Sequence, residues 1–150
     1  MQRWITTLGA VAALATTALA ARAETTEAAQ SLLDGALAEI KAQGLDKAVK
    51  RFNAGGKWKK DGLYLVAVQL DGTMLAHSAN GKLPGANMLA AKDANGRHFV
   101  KDAIDLVKAN DSGHVDMRWG NPQTRRISDA TLFVRRVPDQ DVYVGSLVFK

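Results

Sequence analysis

Apolar positions repeat at helical spacing in the first third of this chain and at strand spacing from Leu63 onward. Ala29, Leu32, Leu33, Ala36, Leu37 and Ile40 recur every three or four residues, which predicts an amphipathic helix from Thr26 to about Ala42, ended near Gly44. A second, short helix is predicted over Leu45 to Phe52, with Leu45, Ala48, Val49 and Phe52 on one face. Asn53-Ala54-Gly55-Gly56 breaks it. Neither helix buries its stripe alone, so no domain boundary is expected between them and the strands beyond. From Leu63 the period is two. Leu63-Leu65-Ala67 and Tyr64-Val66-Val68-Leu70 form opposite faces, both apolar, as in a central strand covered on each side. Asp71-Gly72 offers the positive backbone angles of a tight hairpin. The returning strand, Thr73 to Ser78, is predicted to set Thr73, Leu75 and His77 on one face and Met74 and Ala76 on the other.

A simple hairpin protein would continue at once into the next strand. Here roughly 35 residues separate His77 from the next strand-like run, far above the usual connection of about 4–6. Such a segment has to fold over something, and the expectation is a lid that encloses a small-molecule pocket against one sheet face. It contains Gly81, Pro84, Gly85 and Gly96, then a helix from about His98 to Ala109 burying Phe99, Ala103, Ile104 and Val107. Three strands close the chain: Gly113 to Trp119, Thr131 to Val137 and Val142 to Phe149, the last two joined by a turn at Pro138-Asp139-Gln140-Asp141. Val115, Met117 and Trp119 share one face of the first of these, and His114, Asp116 and Arg118 the other. Short connections make these strands an antiparallel meander. The fold class is α+β: one five-stranded antiparallel sheet, with the N-terminal helix on one face and the loop-and-helix lid on the other.

The first residues change where this domain is expected to reside. Gln2, Arg3 and Trp4 lead into an apolar run, Ile5 to Ala20, and Ala21-Arg22-Ala23 has the small-x-small form of a signal-peptide cleavage site. The run is shorter than the roughly 20 residues that span a bilayer, so residues 1–23 read as a cleaved signal peptide and 24–150 as a single domain. No later stretch is long and apolar enough to cross a membrane, and a periplasmic or secreted protein is expected. The chain has no cysteine, which excludes a disulfide framework and covalent haem attachment. About 127 residues remain, enough to bury roughly two thirds of the unfolded surface. Without Arg3 and Arg22 they hold 18 basic and 15 acidic residues, a scattered net charge of +3. Nucleic-acid binding would want those charges on one face with stacking aromatics between them. None is expected.

The order DGTMLAH, LPGAN, KDANGRHFVKDAIDLVK, GHVDMRWGNPQT and FVRRVPDQDVYVGSLVF resembles a single Cache domain, from about Ala28 to Lys150. That family comprises extracytoplasmic sensor modules with a PAS-like fold, common in chemoreceptors and histidine kinases. The resemblance implies a non-catalytic domain that binds a small ligand such as a short organic acid, with no cofactor. Its partner would be a membrane receptor or kinase. In the family the Ala-His step matching Ala76-His77 sits beside the ligand cavity.

From the residues alone, His77 ends its strand where the lid begins. Its ring either points into a covered pocket, where it can donate to a carboxylate, or is a structural histidine bonded to lid backbone. Trp119 combines broad apolar contact with one N–H donor and suits either a pocket or a plain core. Tyr64, Met117, Asn121 and Arg126 complete the candidate ligand-binding set. Two departures from the family pattern stand out. A lysine and a hydroxyl-bearing aromatic are replaced by Ala130 and Phe133, and a terminal Gly-x-Tyr by Leu147 and Phe149. Loss of the lysine removes an obvious partner for a carboxylate, with Arg126 or Arg97 as substitutes from the rim. Bulky late residues allow an alternative: a structural or protein-interaction module with a filled pocket.

Enzyme templates fail together. His77, His98 and His114 lack metal-ligand spacing. Ser78, Ser112, Ser128 and Ser146 sit in no nucleophile elbow. Asp93-Ala94-Asn95-Gly96 begins like a calcium loop but lacks its remaining oxygen ligands, so an Asx turn at Asp93 is expected instead.

Overall fold

The structure, a computed structural model, describes residues 13–150. In chain order it contains α1 (Ala13–Gln43), α2 (Leu45–Asn53), a 3-10 turn (Gly56–Trp58), β1 (Lys59–Lys60), β2 (Leu63–Gln69), β3 (Met74–His77), α3 (Phe99–Asn110), β4 (Ser112–Asn121), β5 (Arg126–Arg136) and β6 (Val142–Phe149). The helix α1 already runs from Ala13, the first described residue, ahead of the expected Thr26, because nothing from Ala13 to Gln30 is a glycine or proline and alanine is the best helix former. Of the expected signal peptide, residues 1–12 lie outside the described residues. Among the described residues no helix is long and apolar enough to cross a membrane.

All strand pairs are antiparallel, in the spatial order β3-β2-β6-β5-β4. The first long strand therefore lies beside the last, and the sheet has β3 and β4 at its edges. Its two faces bury different sets of residues. Leu65, Ala67, Val142 and Val144 meet Leu33, Ala36 and Ile40 of α1, Ala48 and Phe52 of α2, and Trp58. Phe52 and Trp58 pack edge to face at 4.7 Å. On the opposite face Tyr64, Val66, Val68, Met117, Leu132 and Tyr143 meet Phe99, Val100, Ala103, Ile104 and Val107 of α3. Helix behind and lid in front is the layering that the alternating apolar pattern predicts.

Four local readings need correction. The sheet has a sixth strand, because Asp61 and Gly62 (φ 53° and 82°) make the two-residue turn that folds β1 onto β2. Asp71-Gly72 is different: only Gly72 has positive φ (94°), and Gln69 N donates to Thr73 O across a three-residue loop. The register in β3 also slips. Ala76 pairs with Ala67 but Met74 with Val68, leaving Leu75 as a bulge. That extra residue moves Met74 onto the same face as His77, while Leu75 packs behind the sheet, reversing the predicted parity. Finally, β5 starts at Arg126 rather than Thr131. Its first four residues are mostly polar, with Ile127 the one exposed hydrophobic among them, so they carry no hydrophobic period, yet they continue the ladder with β4 as far as Asn121–Arg126.

On the helix side, the Ser146 hydroxyl is fully buried with no partner among the described residues. An unmet hydroxyl costs about 1–3 kcal/mol. Ser146→Ala is therefore expected to stabilise the fold by about 1 kcal/mol in equilibrium urea unfolding, and a lower midpoint would count against it.

Candidate functional site

The site begins with how the chain leaves β3. Asn53, at the end of α2, accepts a hydrogen bond from His77 N (3.0 Å) and donates one to Leu75 O (3.1 Å), acting as a strand partner. Ser78 then donates to Trp58 O (2.7 Å) and accepts from Leu65 N (2.8 Å). These bonds fix the backbone on both sides of His77. Next the lid doubles back along the outer edge of β3: Met74 N donates to Ala86 O (2.9 Å), Gly85 N to Met74 O (2.8 Å) and Met88 N to Gly72 O (2.8 Å).

The same segment reaches the far edge of the sheet at Asp93. The buried carboxylate accepts from Asn95 N (2.9 Å) and Arg97 N (2.8 Å) as the expected Asx turn, and also from Arg118 N on β4 (2.9 Å). Ala94 N donates to Arg118 O (3.0 Å), and Arg97 donates to Asp116 O (2.6 Å). The lid is thus stitched to the outer strand on each side of the sheet, at β3 and at β4.

Between lid and sheet lies a cavity with about 60 Å³ open to the centre of a water-sized sphere. Its floor is Val66, Val68 and Leu132. Leu83 and Met88 of the lid, with Phe99 and Val100 of α3, cover it, and Met74, Met117 and Leu147 contribute soft walls. Four lining residues carry polar side-chain atoms: Tyr64, His77, Trp119 and Tyr143. The rings of Tyr64 and His77 stack at 4.7 Å and 21°, and Phe99 and Trp119 are tilted at 5.0 Å. Neither phenol oxygen, nor the indole nitrogen, hydrogen-bonds another described residue. For Tyr143, 1 % exposed, that leaves a buried side chain whose hydroxyl has the cavity to turn to.

His77 combines its two sequence readings. Ala79 N, at the start of the lid, donates to Nδ1 (3.2 Å), which places the proton of the neutral ring on Nε2. Nε2 has no partner among the described residues. Burial lowers the imidazole pKa, partly offset by its own backbone carbonyl, and burial raises the phenol pKa of Tyr64 and Tyr143. Near neutral pH the wall is uncharged.

Of the six residues singled out from sequence, Tyr64, His77, Met117 and Trp119 come together around this space, and Asn121 and Arg126 do not. Asn121 ends β4, where its carboxamide oxygen accepts from Gln123 N (2.9 Å) and shapes the β4–β5 turn. Arg126 faces Asn121 at that turn and is exposed. Arg97 is spent on Asp116 and Asp102 outside the cavity. Phe133 does not fill the pocket, because its parity on β5 sends it to the opposite face, beside His114. Ala130 packs at the rim of the lid-side core without lining the space, as does Phe149, whereas Leu147 does line it. Sequence reasoning misses Tyr143. Its signal is present, since it shares strand parity with Gly145 and Leu147.

Gly145 matters through what it lacks. A Cβ there would meet Val66 at 3.1 Å and Leu132 at 3.2 Å, so those floor residues lean into the room that glycine leaves.

The sequence model described as Cache domain matches residues 20–148. No curated protein sequence matches the chain. Among solved structures, a methyl-accepting chemotaxis protein from Vibrio parahaemolyticus superposes with a TM-score of 0.70 at 18 % identity, over 87 % of this chain and 95 % of that one. The periplasmic sensor domain of a chemotaxis protein gives 0.66 at 25 % identity, over 92 % and 99 %. A Cache chemosensory domain solved for its carboxylic acid recognition gives 0.67 at 22 % identity, over 91 % and 97 %. With its edge-to-edge lid over a single antiparallel sheet and a match across nearly its whole length, the chain belongs to the Cache domain family.

Proposed function

We propose that this protein is an exported, non-catalytic sensor module that captures one small organic molecule between sheet and lid. After cleavage behind Ala23 it acts in the periplasm or outside the cell and presents its liganded state to a membrane receptor or kinase. The observation that carries the reading is the covered cavity with Tyr64, Tyr143 and Trp119 holding unpartnered polar atoms in its wall. These atoms reach the space of the cavity rather than being sealed in the core, so a bound molecule there can pair with them. With about 60 Å³ open to the centre of a water-sized sphere, the cavity has room for more than a single water and suits a small organic molecule. A short organic acid, or its neutral relative, has that size.

The test is a thermal-shift panel of short carboxylates, amides, alcohols and amino acids. Ligand at a hundredfold excess over Kd stabilises by about 2.7 kcal/mol, a plain rise in midpoint. Tyr143→Phe keeps the ring and removes the hydroxyl. It is expected to leave the unliganded midpoint nearly unchanged and to weaken binding about five- to tenfold, the worth of one hydrogen bond. Flat curves across the panel would overturn the reading.

A further inference from the structure

Every lining residue of the cavity is uncharged. Neither aspartate, glutamate, lysine nor arginine reaches it from β2, β3, β4, β5, β6, α3 or the lid. The three ionisable groups in the wall are Tyr64, Tyr143 and His77, and burial pushes each toward its neutral form. Tyr64 and His77 stack on each other, and Tyr143 enters from β6 opposite Val68, four residues along β2 from Tyr64. The cavity therefore offers only neutral polar groups, and the rest of its wall is aliphatic, aromatic and thioether. An anion moved into such a space gives up its water without meeting an opposite charge, a costly transfer.

Resting on the small-ligand reading above, we propose that this cavity binds its occupant only with zero net charge, so that a short organic acid enters together with one proton and its amide enters with none. The proton comes from solvent. Two seats exist for it. On the imidazole it would occupy Nδ1, which already accepts from Ala79 N–H, so that bond would have to break. On the ligand it leaves Nδ1 undisturbed, and the carboxyl O–H donates to a phenol oxygen while its carbonyl accepts from the remaining donors. The carboxyl is the lower-energy seat. In either case the stoichiometry is the same.

The experiment is titration calorimetry on the protein with propionate and propionamide, between roughly pH 5.5 and 8.5, in two buffers of different ionisation enthalpy. Propionate affinity is expected to fall about tenfold per pH unit through the upper part of that range, with one proton taken up per molecule bound. Propionamide affinity is expected to stay flat, with no proton uptake. Propionate binding that is equally tight at both ends, without buffer-dependent heat, overturns the proposal while leaving the small-ligand reading intact. Absence of binding by both probes, alongside a flat panel, overturns the small-ligand reading itself.

Discussion

Asp93→Ala is expected to destabilise the protein by about 3 kcal/mol, measured as the loss of unfolding free energy in urea. The carboxylate holds three backbone N–H groups that belong to two different parts of the fold. Asn95 N and Arg97 N are within the lid, and Arg118 N is on the outer strand of the sheet. Hydrogen bonds to a charged acceptor are worth about 1.5–3 kcal/mol, roughly twice neutral ones, and removing this acceptor strands all three donors. Water reaches the two turn donors and offsets part of the loss. Asp93→Asn keeps one carbonyl oxygen for the lid donors but turns an amide N–H toward Arg118 N, and should cost about 1–2 kcal/mol.

The same residue makes stability depend on acid. Burial works to raise the Asp93 pKa, but the bonds from Arg118, Arg97 and Asn95, with the Arg97 charge, more than offset it and hold the carboxyl below its ordinary value. A carboxyl depressed in the folded state stabilises that state above the unfolded pKa, near 3.9, and loses its contribution as pH falls through the lower folded value. The stability gap between wild type and Asp93→Asn should be constant from about pH 5 to 8 and shrink below about pH 4. A gap that does not narrow in acid would mean that the charge contributes nothing.

The fold is legible in the sequence where side chains, rather than backbone groups, carry the information. The central strand Leu63–Gln69 is legible because both its faces are apolar, and α3 because Phe99, Ala103, Ile104 and Val107 keep helical spacing. The lid is legible only as a length anomaly. Its course is not, because the bonds at Met74 and Arg118 that hold it run through backbone groups, which every residue possesses. Parity arguments succeed on β4, placing Met117 and Trp119 in the site, and fail on β3, where one bulged residue inverts the side chains on one side of it. The late-strand substitutions show the same limit. Phe133 suggests a filled pocket until its place on β5 puts it on the helix side of the sheet. Asn121 is a candidate because it follows Trp119, and Arg126 as a rim cation in place of the missing lysine, but a ten-pair ladder carries both to the hairpin tip, away from the cavity.

Val66→Phe separates a working pocket from a vestigial one. Val66 sits at the middle of the floor, flanked by His77 and Gly145 on the neighbouring strands. A phenylalanine ring there projects into the 60 Å³ space and takes up the room that a small ligand needs. Binding of any compound that shifts the wild-type midpoint should fall at least about a hundredfold, close to total exclusion. The folded state should not suffer in proportion. Filling a void restores lost contacts, and cavity-filling changes commonly add about 0.5–2 kcal/mol. If the space exists only as loose packing with no occupant, there is no affinity to lose, and the ring changes stability alone. Tighter folding with abolished binding thus marks a cavity kept open for a ligand, because stability alone would have favoured closing it.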